Sequence, residues 1–293
     1  MPAMTEIPEA VAFEPDTPLV DEVRPSPNHG ERRGRFAHAP ADILLLHYTG
    51  MPDGQGMSGA ERAIRWLTMP VSEVSAHYVV DEDGRITQLV PEMRRAWHAG
   101  RGAWGEDGDV NSASIGIEIV NPGHWWDMGL SPDRDPAAPV EVHPGYRPFP
   151  DEQIDAVIAL ARDIVARNGI PADRVLAHSD IAPGRKRDPG ELFPWDRLAR
   201  AGIGLWVAPV ARDEGRVLAP GEASPPVAAL QAMLRLHGYG IEVTGVYDAA
   251  TAAVVEAFQR HFRPARVDGI ADPGTVATLR ALLEERERRE AVA

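Results

Sequence analysis

The chain has 293 residues, with 44 acidic against 30 basic side chains, a formal charge of −14 and no cysteine. That balance argues against nucleic acid or an anionic membrane as partner, and the missing thiols exclude disulfides and thiolate metal sites. The length allows one large domain or two unequal ones, and no stretch reaches the roughly 18 apolar residues that a membrane helix needs.

Residues 1–40 are rich in Pro, Glu and Asp without an apolar period, which predicts an extended segment on the domain surface or a flexible one. The first nine residues lack the basic and apolar stretches of a secretory signal. A cytoplasmic location is therefore expected, with a periplasmic one the alternative if the true start lies upstream. Residues 43–46 form an apolar run too short for a helix, which suits a buried strand with His47 at its end. Residues 60–67 have helical spacing. Residues 77–80 and 86–90 flank Asp81, Glu82, Asp83 and Gly84 and predict a hairpin. Residues 115–120 form another strand, with Glu118 as a charge inside an apolar segment.

Residues 121–150 are loop-like and contain Trp125 and Trp126. Residues 151–168 carry apolar side chains at helical spacing, opened by Pro150 and Asp151 and closed by Gly169. Residues 174–178 predict a short strand that delivers His178 to a loop. Strands interleaved with helices indicate an α/β fold over 41–207, a mixed central β-sheet flanked by helices. A proline-punctuated linker, 208–226, leads to a small three-helix domain at 227–285. There Gly245, Asp248 and Thr251 recur as Gly269, Asp272 and Thr275, with Asp248 and Asp272 placed as helix N-caps and Pro273 at a first helical position.

Among the thirty basic residues Lys186 is the single lysine. Lysine and arginine differ where a compact ammonium is needed rather than a planar fork, and Lys186 lies between His178 and Asp188. It reads as a catalytic cation beside a metal site. Two histidines and one carboxylate around an open position suit a catalytic zinc centre. No His-Glu-x-x-His helix is present, so such a centre would be assembled from separated strand ends. His178 and Asp188 are candidates because the Gly/Pro-rich loop between them can fold back, and His47 because it leaves a buried strand. Glu118 reads either as a functional carboxylate or as half of a buried ion pair with an arginine.

His47, Tyr48 and Thr49, the run Ser114 to Glu118, and the run His178 to Gly190 together resemble the zinc-dependent N-acetylmuramoyl-L-alanine amidases of the AmpD/AmiD type, relatives of the peptidoglycan recognition proteins. The resemblance covers about residues 40–200. It implies one zinc ion per chain on His47, His178 and Asp188, with Glu118 moving the proton and Lys186 stabilising the oxyanion. It further implies hydrolysis of the amide between N-acetylmuramic acid, or its 1,6-anhydro form, and L-alanine in peptidoglycan fragments. His77, His98, Trp97 and Tyr48 are placed near the substrate, although His77 and His98 also suit core histidines bonded to backbone. Asp180 reads as orienting its loop. The tail is similar to a peptidoglycan-binding module, so removing it from about residue 222 is expected to leave action on small muropeptides intact. A monomer is expected. A metal-free recognition protein and a metallopeptidase cutting within the stem peptide are the alternatives.

Overall fold

The structure, a computed structural model, describes residues 11–54, 56–124 and 146–291. The Trp125 and Trp126 pair lies outside the described residues. In chain order the strands are β1 (Glu22–Val23), β2 (His29–Glu31), β3 (Ile43–Tyr48), β4 (Tyr78–Val80), β5 (Ile86–Gln88), β6 (Arg94–Ala96), β7 (Ser114–Ile119) and β8 (Val175–Ala177). The α-helices are α1 (Gly59–Thr68), α2 (Val110–Ala113), α3 (Asp151–Asn168), α4 (His178–Ile181), α5 (Trp195–Arg200), α6 (Pro225–His237), α7 (Ala249–Phe262) and α8 (Pro273–Glu290).

Among the described residues six strands form a mixed sheet in the order β1-β5-β4-β7-β3-β8, and β2 pairs with β6. The expected hairpin is the antiparallel β4–β5 pair. The other neighbours in the sheet run parallel. The N-terminal segment does more than lie on the surface. Its β1 adds an edge strand beside β5, and Asn28 is buried, with its amide donating to the carbonyls of Met69 and Val74.

Strand β3 is buried throughout, and its residues 43–46 are all apolar because both of its faces are covered. Leu44 and Leu46 join Ile115, Ile117 and Ile119 against Ile154, Val157, Leu160 and Ile164 of α3. Ile43 and Leu45 point the other way. They enter a cluster with Leu176, Trp104, Leu230, Leu234, Val254, Phe258, Leu279 and Leu282. One continuous core therefore joins the sheet to α6, α7 and α8. This differs from the expectation of a separable tail, because the side chains of β3 and β8 that face away from α3 share their cluster with the tail.

The repeat in the tail is built as its sequence implies. The Asp248 carboxylate accepts from the Thr251 amide and the Asp272 carboxylate from the Thr275 amide. Each copy also carries a buried glutamine. The Gln231 side-chain oxygen accepts from the Gly245 amide while its nitrogen donates to the Val246 carbonyl, and Gln259 does the same with Gly269 and Ile270. The helices run from Pro225 to Glu290, slightly beyond 227–285. Proline is tolerated at a first helical turn, and the Arg286–Glu290 and Arg289–Glu285 pairs extend the last turns of α8.

A chain ended at residue 222 is expected to expose the tail-facing half of this core and to accumulate as insoluble protein. Solubility after expression and a thermal melt check this. A soluble truncated protein with one sharp transition would show that the sheet closes its core without the tail.

Candidate metal centre and active-site cleft

Three parallel strands end at the same edge of the sheet, the edge where ligands of open α/β sheets bind. In the register His47 of β3 lies opposite Glu118 of β7, and Leu46 lies opposite Ala177, the last residue of β8. His178 therefore emerges beside His47. The loop after α4 folds back as expected, with the Ser179 amide donating to the Asp188 carbonyl. The result is a triangle in which His47 Nδ1, His178 Nδ1 and Asp188 Oδ2 lie 2.9 Å from one another. All three residues are buried, and among the described residues they are the one set of His, Asp or Glu side chains grouped so as to hold a metal ion.

The hydrogen bonds around the triangle orient its two imidazoles. His178 Nε2 lies 2.9 Å from the Ala99 carbonyl, so it donates there, which leaves Nδ1 facing the triangle. The Ser114 hydroxyl donates to the Val110 carbonyl, which leaves its oxygen to accept from His98 Nε2. His98 Nδ1 is then an acceptor and takes the proton of His47 Nε2 at 2.9 Å. His47 Nδ1, like His178 Nδ1, is left facing the triangle. Burial pushes His47 down to about 4, with His178 adding and Asp188 opposing. Burial likewise holds His98 well below its ordinary value, with His47 adding. Burial alone would push the Asp188 carboxyl up, but His178 and His47 outweigh it and keep it well below its usual range. Separations this short need a positive charge among the three atoms, which a shared proton or a metal ion would supply. Two nitrogens and one oxygen form the donor set of a catalytic zinc site.

Glycine at 116 makes this wiring possible. Ser114, Gly116 and Glu118 share the face of β7 that points away from α3, and the His98 ring lies on the middle one. A Cβ at Gly116 would lie 2.5 Å from His98 Nδ1. The segment before His98 is fixed as well, since the Asn111 side-chain oxygen accepts from the amides of both His98 and Ala99.

A cleft of about 240 Å³ opens above the triangle, with Glu118, Lys186, Tyr48, Trp66, Trp97 and His98 in its wall. Glu118 forms no ion pair with an arginine among the described residues, and its Oε2 is shielded from solvent without a hydrogen-bond partner. Burial pushes its carboxyl up to about 8, with Asp188 adding and Lys186 opposing. Lys186 is half-buried and forms no ion pair among the described residues, so its ammonium stays available to the cleft.

Of the residues expected near the substrate, Trp97 and His98 line the cleft, and His98 also holds His47. Tyr48 lines it with its ring, while its hydroxyl donates to His124 Nδ1, whose Nε2 donates to Glu191. His77 does not reach the cleft. It is fully buried, accepts from the Gly116 amide at Nδ1 and donates to the Arg94 carbonyl through Nε2. It is a core histidine, because both of its ring nitrogens are taken up by backbone groups. Trp104 packs edge-on against Tyr239 of the tail. Trp66, 45% exposed at the cleft rim, was not singled out by its sequence context, where it reads as one more apolar position of α1.

A buried metal-type triangle under an open cleft, flanked by one carboxylate and one ammonium, defines a hydrolytic metal centre on an α/β sheet. Residues 37–191 match the N-acetylmuramoyl-L-alanine amidase family and 223–279 the peptidoglycan binding domain family, and the chain belongs to the N-acetylmuramoyl-L-alanine amidases. It is 37% identical over 263 residues to the N-acetylmuramoyl-L-alanine amidase AmiD of Escherichia coli (strain K12), covering 87% of this chain and 86% of the relative. The solved structure of E. coli AmiD with the substrate anhydro-N-acetylmuramic acid-L-Ala-D-gamma-Glu-L-Lys is similar with a TM-score of 0.65 at 38% identity, over 87% of this chain and 93% of that one. AmpDh3 of Pseudomonas aeruginosa in complex with anhydromuramic pentapeptide gives a TM-score of 0.68 at 34% identity, over 86% and 95%.

Gly116→Ala is expected to displace His98, at a cost of about 1–3 kcal/mol typical of an overpacked interior, and to weaken metal binding through His47. Denaturant unfolding and metal titration check this. Unchanged stability together with unchanged metal affinity would contradict the wiring through His98.

Proposed function

We propose that His47, His178 and Asp188 hold one zinc ion per chain, and that the cleft hydrolyses the amide between the lactyl group of N-acetylmuramic acid and L-alanine in muropeptides, in the ordinary or the 1,6-anhydro form. The observation that carries this reading is the convergence of two imidazole nitrogens and a carboxylate oxygen on the floor of a cleft whose walls hold Glu118 and Lys186. The similarity to AmiD and AmpDh3, both solved with anhydromuramic peptides, supports the substrate class.

A zinc ion bound here would supply Lewis acidity, lowering the pKa of water toward ~7 and drawing the Glu118 carboxyl into its ionised form. Glu118 then takes the proton from the attacking water and passes it to the departing alanine nitrogen, as a positioned general base and acid does. Its Oε2, with no protein partner, has a free lone pair for that proton. The Lys186 ammonium donates to the carbonyl oxygen as negative charge grows there. A compact head on a flexible stem can follow that oxygen where a guanidinium fork cannot. Trp97 and Trp66 offer flat apolar surface to the sugar or the stem peptide at the rim.

The tail carries a second groove, of about 220 Å³, with Arg212, Arg216, Met233, Pro273 and Arg280 in its wall. We assign it to gripping polymeric wall. A second contact on an extended substrate raises the local concentration at the cleft.

Glu118→Gln is expected to retain metal and fold while turnover falls by about 10²–10⁴-fold. Circular dichroism, metal content and muropeptide turnover check it together, and retention of activity would remove Glu118 from the chemistry. Lys186→Arg is expected to bind metal normally and lose about 10²–10³-fold in rate; near wild-type turnover would reduce the single lysine to composition. Mass spectrometry of a digested muropeptide is expected to show an intact stem peptide beginning with L-alanine. Cleavage inside the stem would identify a peptidase instead.

A further inference from the structure

The metal ligand His178 opens α4, a single helical turn of four residues. One isolated turn fixes several dihedrals for one hydrogen bond and does not hold itself together. What holds this turn is Asp180. Its Oδ2 reaches back to accept from the Ala177 amide at 2.8 Å, immediately before His178. Asp180 is only 1% exposed, and a buried carboxylate needs its remaining lone pairs satisfied.

Both remaining partners come from the tail. The Tyr239 hydroxyl donates to Asp180 Oδ1 at 2.8 Å, and His261 Nδ1 donates to Oδ2 at 2.7 Å. Neither donor is free to swing away. The His261 ring is stacked between Trp195 at 3.7 Å and Phe262 at 4.0 Å, and the Tyr239 ring is held edge-on by Trp104 at 5.1 Å. The tail reaches the other end of the ligand loop as well. Arg260, buried on α7, lies 3.5 Å from Glu191, three residues after Asp188, and Glu191 in turn accepts from His124. A module joined only by a linker would have no reason to bond at positions flanking two metal ligands.

We propose that the C-terminal helices are part of the framework of the metal centre, with Tyr239 and His261 acting through Asp180 as positioning residues for His178. The inference rests on the metal assignment above. It makes the tail a structural member of the active site in addition to its wall-gripping groove, and it implies that loosening Tyr239 and His261 loosens the metal.

The test is the rate at which full-length, zinc-loaded protein loses metal to a chromogenic chelator, measured well below the melting temperature. Tyr239→Phe and His261→Phe each keep a ring in place and remove one hydrogen bond to Asp180. Each is expected to release zinc about 10-fold faster than wild type, the low end of the loss seen when groups supporting metal ligands are changed. Leu282→Ala, which weakens the tail's core without facing Asp180, is expected to release zinc at the wild-type rate. Wild-type release from both Asp180-facing variants would overturn the proposal, as would equally fast release from Leu282→Ala, since general loosening would then suffice. If His261→Phe does not fold, Tyr239→Phe, which removes a single oxygen, decides alone. A wild-type protein that takes up no zinc would overturn the metal assignment, and this inference with it.

Discussion

Two imidazole nitrogens and a carboxylate oxygen share a buried triangle 2.9 Å on a side, which holds only with a positive charge among them, a proton or a metal ion. This electrostatic constraint organises the rest of the chain. It requires that His47 and His178 each spend their other nitrogen as a donor, which Ala99 and His98 arrange. It requires that His98 be turned the right way, which the Ser114 hydroxyl and the Val110 carbonyl enforce. It also requires that β3, β7 and β8 run parallel and end together, so that residues 131 and 141 positions apart meet at one sheet edge.

The two carboxylates of the site are driven apart by their surroundings, and their roles follow. Asp188 faces two imidazoles that hold it well below its ordinary range, which suits a permanent anionic ligand. Glu118 is half-buried in the cleft wall near Asp188 and is pushed up to about 8 by desolvation, which suits a group that exchanges protons. Paired titratable groups whose environments separate their pKa values mark acid–base assignments in enzymes generally. Here the separation arises from one register position. Glu118 sits across from His47 on the neighbouring strand, close enough to feel the centre and with Oε2 outside its hydrogen-bond network.

Much of this was legible in the sequence because local signals agreed with the fold. The apolar run before His47 suits a buried strand and is one, the period of residues 151–168 is that of α3 to the residue, and Asp248 and Asp272 cap the helices they precede. Lys186 stood out because no other lysine competed with it. Contacts that depend on distant partners were not legible. His77 and His98 look alike in sequence, and only the partners the fold gives their rings make one a core residue and the other a support for His47. Asp180 reads as a loop residue until Tyr239 and His261 arrive from 59 and 81 positions away. The tail reads as separable because its own repeat is self-consistent, yet Leu230, Phe258 and Leu279 pack into the same cluster as Ile43 and Leu45.

The claim on which the account depends is that the triangle is a zinc centre with two nitrogen ligands and one carboxylate. Metal analysis of the purified full-length protein, combined with X-ray absorption at the zinc edge, tests it most directly. The account predicts one zinc per chain, with first-shell scattering from two imidazole nitrogens and carboxylate oxygen at about 2.0–2.2 Å, the signal collapsing in His178→Ala. Protein that carries no stoichiometric zinc and takes none up on titration, or zinc whose signal survives His178→Ala, would contradict it.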